Sequence, residues 1–299
     1  MVYLHEDKEQ FVQAVNLASY QFSVMESIVE KDYYVTMLLR LLAERIPSVV
    51  FKGGTSLSKC HKAIMRFSED IDIAVDTSLT QGKKKKLKYT LVDIVKELGL
   101  EILNLDETQS RKDYNRYIIA YNTVLFQSDD TIQSTILVET SFMAVSFPTV
   151  TLKVGSIVGD MMLREAPEML EKYHMDFFEM KIQGIDRTLI DKVFAVCDYY
   201  LQNRTKKHSR HIYDIYKLLP LVKQDDEFRK LVEEVRSVRK LSNVCPSAQD
   251  GVDIPKLLKK IIDEEVYRGD YQSVTARLLE EEVDYDVAIK ALDKIMMNF

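Results

Sequence analysis

The chain has 299 residues, 46% of them hydrophobic and 29% charged, with 9 Gly, 6 Pro, 3 Cys and no Trp. That is enough chain for a sizeable core and too apolar and varied for disorder. A formal net charge of −6 excludes a generally basic nucleic-acid binder. The charge is uneven: residues 224–299 carry 17 acidic and 12 basic side chains, a balance of −5. The first 223 residues therefore stand at −1 and hold local basic runs, where nucleic acid would bind in a salt-sensitive way. The opening MVYLHEDKEQ is charged at once, and no window approaches eighteen apolar residues. Neither a secretory signal nor a transmembrane helix is expected. Cys60, Cys197 and Cys245 are scattered and odd in number, so they read as reduced thiols of a cytoplasmic protein.

In chain order, Ser23 to Glu26 resembles a capping box opening a helix that runs to about Arg45, before Pro47. Val49-Val-Phe51 reads as a buried strand ending in the turn Gly53-Gly54. Thr55 to Arg66 reads as a helix. Ile71, Ile73 and Val75 alternate with Asp70, Asp72 and Asp76, broken only by Ala74, which is strand periodicity. Gly82 to Leu98 is helical with Gly99 closing it. Strand-like runs follow near 116–125, 135–142 and 149–157, and the pattern after about Gly159 is helical to the end. Leu189, Ile190, Val193, Phe194, Cys197, Tyr200 and Leu201 form one apolar stripe behind Asp186, a candidate N-cap. Strands in the middle with helices on both sides predict an α+β fold. The expected division is residues 1–158, holding the N-terminal helices and the sheet core, and residues 159–299, a helical C-terminal domain.

The chemistry concentrates between Phe51 and Ile73. Gly53 and Gly54 stand where a strand turns into a helix, and residues without Cβ let backbone N–H groups approach a phosphate. Thr55 and Ser56 add hydroxyl donors. A glycine pair alone is more often a plain structural turn. Asp70 and Asp72 are two apart on a strand, so both carboxylates share one face. Such a pair repels itself unless a cation intervenes, and hard oxygen ligands suit Mg²⁺ with substrate phosphates. Two such ions can activate an attacking hydroxyl and stabilise leaving pyrophosphate. The bland alternative for the pair is a solvated strand face.

The combination is more specific than its parts. A glycine pair opening a helix, then fifteen residues, then Asp-Ile-Asp, resembles nucleotidyltransferases related to DNA polymerase beta. The fuller string, Lys52–Lys59 (KGGTSLSK) with Arg66–Ile73 (RFSEDIDI), is similar to the AbiEii/AbiGii family of nucleotidyltransferase toxins, and upstream Glu30–Tyr34 (EKDYY) resembles that family's preceding helix. The resemblance spans roughly residues 25 to 220.

It implies a polymerase beta-like mixed-sheet core with flanking helices and a helical C-terminal region. It implies a third carboxylate on a later strand, for which Glu139 is the one acid of Ile136–Phe142. It implies a functional lysine on a helix and an Arg-Asp-hydrophobic-Tyr-Asp segment, matched by Lys192 within Asp186–Lys192 and by Asp214 within Arg210–Ile215. His211 stands where the family usually has the first Asp of that segment. The bland reading of Arg210 and Asp214 is an i,i+4 surface pair.

On this reading a nucleoside monophosphate passes from an NTP to an acceptor hydroxyl. Asp70, Asp72 and Glu139 hold Mg²⁺, and Gly53, Gly54, Thr55 and Ser56 bind the triphosphate. Lys59, Arg66 and Ser68 support this loop or contact phosphate, Lys192 stabilises phosphate charge, and Asp214 positions or deprotonates a reacting group. The resemblance further implies the toxin of a toxin–antitoxin system, often acting against phage, with the 3′ end of tRNA as acceptor and a separate antitoxin. Composition shows none of these three. Two basic runs, Lys83–Lys88 and Arg204–Arg210, are the sequence's own candidates for RNA phosphate. His208 and His211, spaced i,i+3, are too few ligands for a metal site. The rival readings are a kinase-like phosphotransferase acting on a protein or small molecule, and a nucleotide-binding module without catalysis, against which the intact Asp-Ile-Asp argues.

Overall fold

The computed structural model describes residues 2–68, 70–125, 133–145 and 147–299. The chain divides into two units, Met1–Thr55 with Glu69–Ile182 and Ser56–Ser68 with Gln183–Phe299. Among the described residues, no helix is long and apolar enough to cross a membrane.

The first unit opens with α1 (Lys8–Phe22), capped by the Asp7 side chain, which accepts from Gln10 N. Ser23, expected to open the next helix, instead closes this one in the left-handed conformation, with φ 54°. The chain must reverse there, and Ser19 Oγ donating to Val24 O at 2.6 Å fixes the turn. Met25 is left as the N-cap of α2 (Glu26–Arg45), with no side-chain cap bond.

The charged run at the start of α2 is an internal bracket. Glu30 accepts from Val124 N at 2.8 Å and Thr123 Oγ1 at 2.7 Å. Lys31 Nζ donates to Gln133 O, and Asp32 accepts from Ile157 N at 2.8 Å. Burial pushes the Glu30 carboxyl up, opposed by these two donors. Polar groups that would be costly to bury alone therefore tie residues 123–124, 133 and 157 to one helix.

Next come β1 (Val49–Lys52), α3 (Gly53–Lys59), β2 (Ile71–Val75), α4 (Gln81–Glu97), β3 (Glu101–Ile102), β4 (Tyr114–Ala120), β5 (Thr135–Val145), β6 (Thr149–Val154), α5 (Ile157–Glu165), α6 (Glu168–Lys172) and β7 (Phe178–Gln183). The strands form one mixed sheet in the order β3-β4-β5-β2-β1-β7-β6. The two short chemical strands, β1 and β2, lie at its centre, β1 antiparallel to β2 and parallel to β7, β2 parallel to β5. Val50 and Phe51 are buried, as their apolar run required, and Ile71 and Ile73, as their alternation required.

Two readings are corrected here. The helix expected to reach Arg66 stops at Lys59, because the chain turns: Cys60 and His61 N both bond back to Ser56 O, and Lys62 takes φ 53°. And a strand follows Gly159 after all: β7, whose Met180 and Ile182 are buried while Glu179 is exposed.

The second unit is helical: α7 (Ile185–Leu201), α8 (Arg210–Leu218), α9 (Asp226–Arg239), α10 (Ile254–Asp263), α11 (Arg268–Ser273), α12 (Tyr285–Ala288) and α13 (Lys290–Ile295). Leu189, Ile190, Val193, Phe194 and Cys197 of the predicted α7 stripe pack into a core shared with Ile212 and Ile215 of α8 and Ile254, Leu258 and Ile261 of α10, with Tyr200 partly buried against it, while Leu201 at the end of α7 is exposed. Asp186 stands in the first turn of α7, whose N-cap is Gly184. Segment 66–67 also joins this unit as extended chain: Arg66 bridges Leu279, and Phe67 N donates to Leu278 O at 2.9 Å.

Candidate active site

In the first unit, β1 ends at Lys52 and α3 begins at Gly53, whose φ is +80°. A Cβ built there would stand 1.8 Å from Asp72 Oδ2 and 2.8 Å from Asp72 Cγ. Only glycine lets the Asp72 carboxylate lie this close to the turn, and only glycine adopts that φ without strain. The register explains the approach, since Lys52 is paired with Asp72 across the antiparallel β1–β2 ladder.

On its other side β2 sets Asp72 in register with Glu139 of β5. Residues in register share a face, so the two carboxylates are cross-strand neighbours. Ile71, Ile73, Val138 and Thr140 alternate to the opposite face and are buried. Asp70 stands one residue ahead of β2, two before Asp72, so it belongs to the strand's entry.

Strand β4 completes this face. Arg116 is in register with Glu139, and its Nε is 3.9 Å from Glu139 Oε1. Burial raises the Tyr114 phenol well above its ordinary value, and Glu139 adds to this by charge and hydrogen bond, with Asp72 contributing. Glu139 and Asp72 thus oppose a negative charge at Tyr114, with Arg116 acting the other way. Among the described residues no group of three histidine, cysteine or carboxylate side chains is arranged to hold a metal ion. Mg²⁺ does not need one: it is ordinarily held by one or two carboxylates, the rest of its shell being water and substrate phosphate. The oxygen-only donors Asp72 and Glu139, and the turn that a Cβ would fill, fit that ion.

The second unit gathers a different set. Asp214 on α8 is fully buried and accepts from Arg66 Nε at 2.7 Å and Arg66 Nη2 at 2.9 Å. Lys192 Nζ on α7 lies 2.9 Å from Asp214 Oδ2. Burial pushes the Asp214 carboxyl up, but the Arg66 and Lys192 charges outweigh it and hold the group far below the usual carboxylate range. Burial lowers Lys192, Asp214 opposing. Burial, with Lys192 and Arg210 nearby, holds His211 well below the imidazole range, so it is neutral. Lys192 Nζ is 3.4 Å from His211 Nδ1; the ammonium has only donors, so Nδ1 accepts and the ring proton sits on Nε2.

Two cations thus share the Asp214 carboxylate beside a neutral imidazole. Asp214 has Arg66 and Lys192 as partners, replacing the surface pair with Arg210. His211, in the place where the family usually has Asp, adds no negative charge of its own.

Of the remaining candidates, Gly54 and Thr55 lie in the first unit with the carboxylate face. Ser56, Lys59 and Ser68 lie in the second; Thr55 and Ser56 are buried, Lys59 and Ser68 half-buried. Tyr114 and Arg116 were not picked out by sequence. Their signal was their i,i+2 spacing, missed because the strand was read as starting at 116. The Tyr213 link was also missed: its hydroxyl accepts from Met65 N at 3.0 Å and donates to Glu281, which pairs with Lys217.

The sequence model of the AbiEii family, described as nucleotidyl transferase AbiEii toxin of a type IV toxin–antitoxin system, matches residues 38–298. Among solved structures, the chain is similar to MenT4, a nucleotidyltransferase toxin from Mycobacterium tuberculosis H37Rv. That match has a TM-score of 0.53 and 14% identity, over 95% of this chain and 88% of that one. No curated protein matches significantly. At that identity the structural likeness supports the fold, α+β with a mixed sheet, while the family match carries the membership.

Proposed function

Because the chain belongs to the AbiEii family of nucleotidyltransferase toxins of type IV toxin–antitoxin systems, we propose that it transfers a nucleoside monophosphate from an NTP to a hydroxyl at the 3′ end of RNA, tRNA first. The observation that carries this reading is the Asp72 carboxylate, lodged against the Gly53 turn and in register with Glu139. Asp70, Asp72 and Glu139 would hold Mg²⁺. When bound, that ion would lower the pKa of the attacking hydroxyl and stabilise the departing pyrophosphate.

The chain's own groups divide the remaining work. The Gly53-Gly54 turn offers backbone N–H groups to the triphosphate, with Thr55 and Ser56 framing the start of α3. Lys59 and Ser68 support this loop. The acceptor oxygen bonds to the α-phosphorus, the bond to the α–β bridging oxygen breaks, and the hydroxyl proton is lost to the face formed by Asp72 and Glu139. Lys192 stabilises phosphate charge as it develops. Asp214 acts by position: both its oxygens are committed to Arg66 and Lys192, which leaves it a very weak base.

The acceptor assignment draws on Arg204, Lys206, Lys207 and Arg210, beside the stacked rings of Tyr199 and His208, 3.5 Å apart. Cations next to a stacking platform suit single-stranded RNA ends. A separate antitoxin would counter the activity, and restraint of phage growth would be its use. The free cysteines fit a reducing cytoplasm. The test is pyrophosphate release with each NTP, with and without total RNA and Mg²⁺. Release that requires RNA and metal, matched by equal labelling of RNA, supports the reading; release without any labelled acceptor contradicts it.

A further inference from the structure

The second unit holds a cavity of about 800 Å³ that the reaction above does not use. Lys62, Lys217, Lys290 and Lys294 line it, and no acidic side chain does. This runs against local composition, since residues 224–299 have 17 acidic and 12 basic side chains. Lys217 is paired with Glu281 at 2.7 Å. Among the described residues the other three lysines have no ion-pair partner.

Each of those three also occupies a place that disfavours it. Lys62 is held at φ 53°, a conformation costly for any side chain but glycine. Lys290 and Lys294 lie one turn apart on α13, where like charges repel. Glu281 offsets Lys217, and Asp286 feels the charge of Lys290, but the cavity wall itself stays cationic and is compensated further when an anion joins it.

Much of the rest of the lining is apolar: Leu219, Leu221 and Val287 line the cavity with Tyr216, and Leu221 and Val287 are exposed to solvent. Concave apolar surface of this size, bordered by a few convergent charges, is the form of a small-molecule site. We propose that this cavity is a second ligand site, taking a small molecule that bears a phosphate or polyphosphate on a planar or apolar body, of mononucleotide size. The lysines from three separate segments receive the phosphates, and the apolar lining of Leu219, Leu221 and Val287 receives the body.

The test is a fluorescence titration of the full-length protein with N-methylanthraniloyl-ADP in EDTA, where the carboxylate face has no metal to retain a polyphosphate. Saturable binding should be unchanged in Asp72→Asn and weakened about tenfold or more in Lys290→Glu/Lys294→Glu. Lys62→Gly removes one cation and relieves its backbone strain, so it should weaken binding while leaving the protein at least as stable. Inorganic pyrophosphate, lacking a body, should displace the probe at least about tenfold less well than ADP. Affinity that survives the lysine changes, or that disappears in Asp72→Asn, overturns the proposal. So does pyrophosphate competing as well as ADP, or a single-stranded oligonucleotide displacing the probe at far lower phosphate concentration, which would make the surface a nucleic-acid contact.

Discussion

Asp72 Oδ2 occupies the space a side chain at residue 53 would need, 1.8 Å from the Cβ position of Gly53. Turn and carboxylate are therefore one construction. Gly53→Ala should cost about 1–3 kcal/mol through the positive φ and the displaced carboxylate, and should abolish nucleotide transfer. Adding Asp72→Ala should restore part of that stability without activity. A double-mutant cycle by urea denaturation measures the coupling, expected at about 0.5–3 kcal/mol; additive costs would show that the two do not compete for space.

Asp72→Ala alone should leave a folded, inactive protein, and Asp70→Ala should behave alike. Removing a carboxylate from a repelling face should hold or raise thermal stability in the absence of Mg²⁺. Glu139→Gln keeps the shape of its side chain and its register with Asp72, so it should lower turnover by about tenfold or more and raise the Mg²⁺ concentration needed. Normal Mg²⁺ dependence in Glu139→Gln would remove it from the metal assignment.

The buried cluster separates fold from chemistry. Asp214→Asn removes the buried carboxylate that Arg66 and Lys192 share and should destabilise by about 3–5 kcal/mol. Lys192→Met leaves the bidentate Arg66–Asp214 pair intact and removes a desolvated charge, so stability should change by less than about 1.5 kcal/mol. Turnover should nonetheless fall by orders of magnitude, with NTP affinity changing less. A Lys192→Met protein that turns over normally would limit the lysine to a structural role.

The histidines give the stability an acid-side slope. His211 titrates far below its ordinary value of 6.5 because of burial, and His5 and His61 are lowered by burial too. Below about pH 6.5 the unfolded chain binds protons that the folded one refuses, so stability is full above that pH and falls as pH falls. Asp214, held low, keeps its contribution until pH drops below the ordinary value of 3.8, and so does not enter this window. His211→Gln should flatten the slope by up to about 1.4 kcal/mol per pH unit, read from urea midpoints at about pH 7 and about pH 5. An unchanged slope would mean that His211 is charged in the fold.

The central strands were legible because their signal is local. Val49–Phe51, the glycine turn and the Ile71–Val75 alternation need only neighbouring residues to be read, and α7 shows its stripe in one heptad-scale window. Glu139 was reached through family resemblance; its physical reason, register with Asp72, is a pairing between strands that periodicity does not contain. Arg66 and Asp214 are 148 residues apart, and nothing local announces a buried pair. The helix that stops at Lys59 follows from the same cause: segment 66–67 is drawn out as extended chain against 278–279, a tertiary contact overriding helical propensity. The run Glu30–Tyr34 was noticed as a motif, while its work as a bracket depends on loops about a hundred residues downstream.

The most direct test of the account is which phosphorus reaches the acceptor. Parallel reactions would contain total RNA, Mg²⁺ and NTP labelled at either the α- or the γ-phosphorus, with wild-type protein and with Asp72→Asn. The account predicts RNA labelled from the α-position alone, by wild type alone, with label entering at 3′ ends. Label arriving from the γ-position, or α-label transferred equally by Asp72→Asn, would contradict it.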